Sequence, residues 1–341
     1  MLKSQPLLSV IITCYNYETY IDECIQSVLS QDYDNLEVIV VDDGSTDGSW
    51  SKIQKYGDRI TAIRGENSGP LKACRSGLSR SHGAFIYFLD ADDALCEGAL
   101  TELEPYLRSD VSKIQFMLLP VDKDGKAIGN PFPELRRSAN SQQLIQSIRQ
   151  KGHYNTPPTS GNVYRRDVYD GLGEMTYERA IDGVPYLLAP FVGEVISIDH
   201  PLGRYRIHNA NLSSFSDISS KRMKAYVERF MGRLHHLAEL VEARSATAAK
   251  VNVRNDYAYV TELNTMSLVV DGKRPSVGQI SAHIGAVVRE NSGMKRVALC
   301  LFAVGLFALP NVLAKRLAAV RIDPSRARRM RSRLKHVFSL A

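Results

Sequence analysis

A mostly parallel α/β sheet with helices on both faces, followed by a helical C-terminal module, is the architecture this sequence predicts. Three observations carry that reading. Apolar, β-branched runs alternate with segments of helical periodicity through the first ninety residues, which is the pattern of strands joined by crossover helices. The runs are apolar throughout rather than at every second position, which marks strands buried on both faces. After about residue 120 the alternation gives way to polar turns and then to long amphipathic stretches.

The elements follow in order. Residues 7–13 (LLSVIIT) are the first buried strand, and 18–30 place Tyr20, Ile21, Cys24, Ile25, Val28 and Leu29 at helical spacing. Residues 36–41 (LEVIVV) repeat the strand signal. They end at Asp42-Asp43-Gly44-Ser45-Thr46-Asp47, a turn whose Ser, Thr and Asp side chains can cap the next helix. A short strand at Ile60–Ile63, a helix over Leu71–Ser81 and a buried strand over Ala84–Leu89 complete the alternation. Residues 122–133 are turn-rich. Residues 153–166 (HYNTPPTSGNVYRR) form a polar loop that Pro157 and Pro158 keep from being helical. A helix over 177–189, a strand at 194–198 and two amphipathic helices within 217–270, split near 245–249, follow.

The 341 residues, 44% hydrophobic and 23% charged, fit an ordinary globular protein with a substantial core, and argue against a disordered or polytopic membrane chain. The net charge of +6 is unevenly placed. From Lys295 onward eleven basic residues face a single acid, Asp323, so the body of the chain is acidic and the tail is strongly basic. The five cysteines show no metal-ligand spacing and read as reduced thiols. MLKSQPLLSVIITCYN lacks the pattern of a signal peptide, so a cytoplasmic chain is expected.

Asp90-Ala91-Asp92-Asp93 directly follows the strand FIYFL. Three carboxylates crowded at a strand end repel one another unless a cation is present, and Mg2+ or Mn2+ prefers such oxygen ligands and also bridges phosphates. The alternative is a solvated acidic turn capping the helix near Glu97. Asp42-Asp43 also lie beyond a strand end, where a carboxylate can accept from a nucleobase N–H or a ribose hydroxyl; Asp47 reads as a helix cap. Thr13, Tyr15 and Asn16 leave the first strand on the same edge, and the Tyr15 ring can either stack on a base or pack.

The set SVIITCYN (9–16), VDDGSTD (41–47), NSG (67–69) and LDADD (89–93) resembles the family 2 glycosyltransferases of the GT-A fold, over about residues 7–212. The resemblance implies transfer of a sugar from a nucleoside-diphosphate donor, UDP favoured, with inversion, to a glycan or lipid-linked acceptor in bacterial glycan synthesis. It implies that Thr13, Tyr15 and Asp43 hold the base and ribose. It makes Asp90 and Asp92 the D-x-D pair, with Asp92 the ligand of Mn2+ or Mg2+ and Asp90 nearer the sugar or ribose. Asp182, in ERAIDGVPYLLAP (178–190), takes the place of the catalytic base, although Ile181 stands where an acid often precedes it. DHPLGRYRIHNANLSS (199–214) resembles the segment that closes over the diphosphate, with Arg206 and His208 as phosphate contacts, and PPTSGNVYRR (157–166) resembles the acceptor-side loop. Where the family commonly shows A-R-N-x-G, this chain reads Ala73-Cys74-Arg75-Ser76-Gly77, and Lys72 or Arg75 is left to meet the diphosphate.

Two rival functions are weighed. A sugar-phosphate nucleotidyltransferase needs a glycine-rich loop after the first strand, and TCYNYE has no glycine. A non-catalytic nucleotide-sugar-binding or assembly protein stays open because of Ile181 and the altered 73–77 segment. The chain thus divides into 1–212, a helical extension at 213–290, and an apolar helix with a basic tail at 291–341. Residues 297–309 (VALCLFAVGLFAL) are uninterrupted apolar residues, about 20 Å long as helix and short of a bilayer's roughly 30 Å core. With Lys295-Arg296 and Lys315-Arg316 beside it, the run suits an anionic membrane surface on the cytoplasmic side or a buried core helix. No nucleic acid is expected, because aromatics do not interleave the basic residues.

Overall fold

The computed structural model describes residues 5–137, 140–208, 219–244 and 250–322. The basic tail from 323 onward and residues 209–214 of the diphosphate-closing segment lie outside the described residues. The chain forms two compact units, one of residues 1–148, 153–209 and 236–250, the other of 149–152, 210–235 and 251–341.

The first unit is built on an eight-stranded sheet. In chain order its elements are β1 (Leu8–Cys14), α1 (Ile21–Leu29), β2 (Leu36–Asp42), α2 (Ser49–Ile53), β3 (Thr61–Arg64), α3 (Pro70–Arg80), β4 (Phe85–Asp90), β5 (Ala94–Leu95), α4 (Ala99–Leu103), β6 (Val111–Val121), α5 (Ser141–Lys151), β7 (Asn162–Arg165), α6 (Pro185–Val192) and β8 (Glu194–Arg206). The strand order is β3-β2-β1-β4-β7-β6-β8-β5. The β3-β2-β1-β4 half is wholly parallel, as the uniformly apolar runs imply. The strand β7 enters antiparallel between β4 and β6, and β6 then pairs parallel with β8. The core is formed by Val10, Ile12, Val40, Tyr87, Leu89 and Phe116 with the inner face of α1, all buried.

Three features differ from the sequence reading. The central strand β6 (VSKIQFMLLPV) carries Ser112, Lys113 and Gln115 in buried positions, and these polar residues hide its strand character. The segment 153–166 is not all loop, since Asn162–Arg165 form β7. The helix read over 177–189 begins only at Pro185, where a proline at the first helical position needs no N–H partner. Residues 181–184 before it are turns.

The second unit takes in the start of α7 (Ser220–Arg244) with α8 (Ala258–Val270), α9 (Val277–Glu290), α10 (Gly293–Ala308) and α11 (Asn311–Ile322). Met223, Leu263, Met266, Leu306 and Ala314 share one core there, so the apolar helix and the helical extension pack together. The apolar run breaks at Pro310, and its residues divide between two faces. Ala303 and Leu306 are buried, whereas Val297, Leu301 and Val304 are exposed. No helix among the described residues is long and apolar enough to cross a membrane.

Close packing of α3 onto the sheet sets a testable limit. A Cβ at Gly77 would stand 2.4 Å from Ile11 Cγ2, and Ile11 is fully buried. Alanine gains about 1 kcal/mol of helix propensity over glycine, but overpacking a fixed core costs about 1–3 kcal/mol. Gly77→Ala is therefore expected to lower stability by about 1 kcal/mol, read as a lower denaturation midpoint; an unchanged or raised midpoint would show that Ile11 yields freely.

Candidate active site

The strand register gathers the motifs. Thr13 pairs with Val41 on one side and with Asp90 on the other, and Cys14 pairs with Asp42, so three strand ends meet on one edge. The loops beyond them are tied together by short polar contacts. Asn16 adopts a left-handed backbone, φ 58°, tolerated by Asn. It donates its N–H to Ser45 Oγ (3.0 Å) and accepts from Thr46 N–H (2.8 Å). Gly44 has φ 77°, and a Cβ there would stand 2.6 Å from Asn67 N, so glycine lets the DDGS turn meet the NSG loop.

Asp43 uses that contact. Its carboxylate accepts from Ser68 N–H (2.8 Å), Ser68 Oγ–H (3.2 Å) and Gly69 N–H (2.9 Å). A carboxylate has roughly four acceptor sites, so capacity for a ligand hydrogen bond remains. Asp42 is fully buried and lies 3.3 Å from Arg64 Nε. Tyr15 stands 43% exposed at the edge, presenting a ring to solvent. Lys72 is exposed in the first turn of α3. Arg75 is directed away, with Nη2 donating to Gly173 O at 2.6 Å.

The acidic cluster follows β4. Desolvation first, then the charges of Asp92 and Asp182, push the Asp90 carboxyl up to about 7. Burial first, then the charges of Asp92 and Asp90, raise Asp93 well above the carboxylate range. Asp92 is buried and its Oδ2 lies 2.9 Å from His208 Nε2. The His208 ring stacks on Tyr20 at 5.4 Å and meets Tyr17 edge-on at 6.0 Å. Burial, with the charges of Asp92 and Asp90 next, raises the Tyr17 hydroxyl far above the usual tyrosine range. Tyr17 and Tyr20 were not singled out for the site by sequence pattern. The aromatic spacing in YNYETY is their only trace.

Arg206 has a different place from the phosphate contact read for it. It is 2% exposed. Its Nε donates to Asp92 O (2.9 Å), Nη1 to Asp122 O (3.1 Å) and Lys123 O (3.2 Å), and Nη2 to Glu23 Oε2 (2.6 Å). Its backbone N–H donates to Asp93 Oδ1 at 2.8 Å, and the guanidinium lies over the Tyr20 ring. The side chain is spent within the protein, where it fixes the acidic loop from behind. His208, likewise read as a phosphate contact, sits on the carboxylate instead.

Asp182 lies in the turn before α6, and its carbonyl accepts from Tyr186 N–H at 3.1 Å. Thr159 Oγ lies 3.4 Å from Asp182 Oδ1, and the Asp182 charge is near enough to help raise Asp90. Ile181 is 3% exposed, an apolar core residue where the family often has an acid.

A divalent cation suits this donor set. Asp92 supplies a carboxylate oxygen, a ligand that Mn2+ and Mg2+ both accept. Among the described residues no group of three or more His, Cys, Asp or Glu side chains gathers around one point. A cation here would complete its shell from the diphosphate and water, as Mg2+ usually does.

The family model for glycosyl transferase family 2 matches residues 9–173. An uncharacterized glycosyltransferase of Nostoc sp. is 31% identical over 258 residues, covering 70% of this chain and 80% of the relative. A Campylobacter jejuni protein named as a GalNAc(5)-diNAcBac-PP-undecaprenol β-1,3-glucosyltransferase is 40% identical over 103 residues, 29% of this chain and 33% of that one. In fold, the crystal structure of residues 1–349 of S. aureus TarS in complex with UDP-GlcNAc superposes with a TM-score of 0.55 at 16% identity, covering 92% of this chain and 91% of that fragment. The chain belongs to glycosyl transferase family 2, and it is a glycosyltransferase of the GT-A fold.

Proposed function

We propose that the enzyme moves a sugar, with inversion, from a UDP-sugar to a glycan or lipid-linked acceptor in bacterial glycan synthesis, with Mn2+ or Mg2+ as cofactor. The observation that carries this reading is the joining of Thr13, Asp43, Asp90 and Asp92 at adjacent parallel strand ends, with Asp182 electrostatically linked to Asp90. Thr13, Tyr15 and Asp43 bind the base and ribose, and Lys72 meets the diphosphate. Asp92, oriented by His208, is the metal ligand, and Asp90 hydrogen-bonds the sugar or ribose. A cation on Asp92 would supply positive charge to the departing diphosphate. Asp182 takes the proton of the acceptor hydroxyl as its oxygen attacks the anomeric carbon, because a neutral alcohol is a poor nucleophile. The Campylobacter relative, whose named acceptor is an undecaprenyl diphosphate glycan, supports the lipid-linked class.

That acceptor class implies work at the cytoplasmic face of a membrane, and the second unit offers a surface for it. Met294, Val297, Leu301 and Val304 recur every three or four residues on the outer face of α10, and Val312 and Leu313 continue the exposed apolar surface on α11. Lys295, Arg296, Lys315 and Arg316 flank it, and residues 291–322 contain no Asp or Glu. Anionic lipid contributes about 1 kcal/mol per basic residue near the surface. Each apolar side chain buried adds about 1.5–3 kcal/mol.

Two outcomes test these readings. Asp182→Asn is expected to keep UDP affinity while transfer or donor hydrolysis falls by about 10²–10⁴-fold, because the amide accepts no proton. Near wild-type turnover would place the base elsewhere. The full-length double variant Val297→Asp/Leu301→Asp is expected to lose co-sedimentation with phosphatidylglycerol vesicles and to keep UDP binding. Equal pelleting of both proteins would remove α10 from any membrane contact.

A further inference from the structure

Lys113 lies on β6 with its side chain fully buried. Its Nζ lies 2.9 Å from Gln115 Oε1, 3.2 Å from Tyr154 OH and 2.7 Å from Thr156 Oγ. Each acceptor has already committed its own proton elsewhere. The Tyr154 hydroxyl donates to Tyr186 O (2.6 Å), and Gln115 Nε2 donates to Ser197 Oγ (2.9 Å). The Thr156 hydroxyl donates to Asn162 Oδ1 (3.2 Å), whose own amide donates to Pro157 O (3.1 Å) and Pro158 O (2.8 Å). Three acceptors without a spare proton demand three N–H donors, which only the ammonium form of lysine provides.

Burial opposes this count and pushes the amine well below the usual lysine range, while the Asp182 charge pulls it back up. The hydrogen bonds decide the matter. A neutral amine would leave one of the three acceptors facing a lone pair. The rings of Tyr154 (5.0 Å), Tyr164 (5.5 Å) and Tyr186 (5.8 Å) add cation–π attraction for the charged form.

The network leads to the reacting groups. Lys113 holds Tyr154 and Thr156, and Thr156 holds Asn162, which fastens the Pro157-Pro158 corner. That corner carries Thr159 to Asp182 and Ser160 to the Asp90 N–H, 3.1 Å from Ser160 Oγ. A Cβ at Gly161 would stand 2.6 Å from Pro157 Cβ, so the corner has one tight conformation.

We infer that Lys113 is a positioning residue of the transfer reaction, a buried cation that fastens the 154–162 loop, whose Thr159 meets Asp182 and whose Ser160 meets Asp90. It rests on the reading of Asp182 as base. Without the buried cation, Tyr154, Thr156 and Asn162 lose the bonds that set the corner, and Thr159 and Ser160 are no longer held against the two carboxylates.

Lys113→Met fills the same space without an unpaired charge, a replacement for buried ions that is often tolerated. Lys113→Gln keeps N–H donors but removes the charge, and it carries the test if the methionine variant fails to fold. The probes are UDP-glucose and UDP-GlcNAc with Mn2+, read as UDP released by the full chain. Both variants are expected to retain UDP affinity and the KM for the donor, and to lose kcat by on the order of 10²-fold for Met and less for Gln, whose N–H donors restore part of the loop. An unchanged kcat would overturn the inference, as would a loss of UDP affinity in step with kcat, the mark of a packing residue. Asp182→Asn separates the two failures. If that variant is fully active, the base reading fails; if it is inactive while both lysine variants keep the wild-type kcat, only the role of Lys113 fails.

Discussion

Repulsion among Asp90, Asp92 and Asp93, held within four residues at the end of one buried strand, is the constraint around which the site is arranged. Burial and mutual charge leave Asp90 and Asp93 far easier to protonate than free carboxyls. Protein groups relieve only part of that load. Arg206 braces the loop from behind, and His208 sits against Asp92.

Seen from that constraint, the sheet edge and the 154–162 loop have complementary tasks. The edge is fixed by parallel pairing of β1, β2 and β4, which needs no polar side chain to hold it. The loop has no such ladder. Its conformation depends on buried side-chain hydrogen bonds that start at Lys113. Such networks are rigid when every member is satisfied, and costly when one is not. The loop that meets Asp182 is therefore held by polar chemistry within the core, and the motif residues at the strand ends by backbone pairing.

That difference also explains what was legible in the sequence. β1, β2 and β4 were readable because strands buried on both faces are apolar without interruption, and their ends then located Thr13, Asp43, Asp90 and Asp92. β6 was not readable, because Lys113 and Gln115 place polar chemistry where a central strand should be apolar. β7 is only four residues long and emerges from a proline-rich loop. The start of α6 was misjudged because Ile181 and Val184 continue an apolar pattern through residues whose backbone is turn. The role of Arg206 was invisible for another reason. Its partners Glu23, Asp92 and Asp122 are scattered along the chain, and only the fold shows that the guanidinium is directed inward.

The central claim is that the acidic strand end binds the donor diphosphate through a divalent cation on Asp92. Calorimetric titration of UDP, with and without Mn2+, into wild type and Asp92→Ala tests it most directly. Mn2+ is predicted to strengthen UDP binding by at least about tenfold in wild type, a difference of about 1.4 kcal/mol, and to leave the variant's affinity unchanged. An Asp92→Ala protein that folds and keeps the full Mn2+ enhancement would contradict the account.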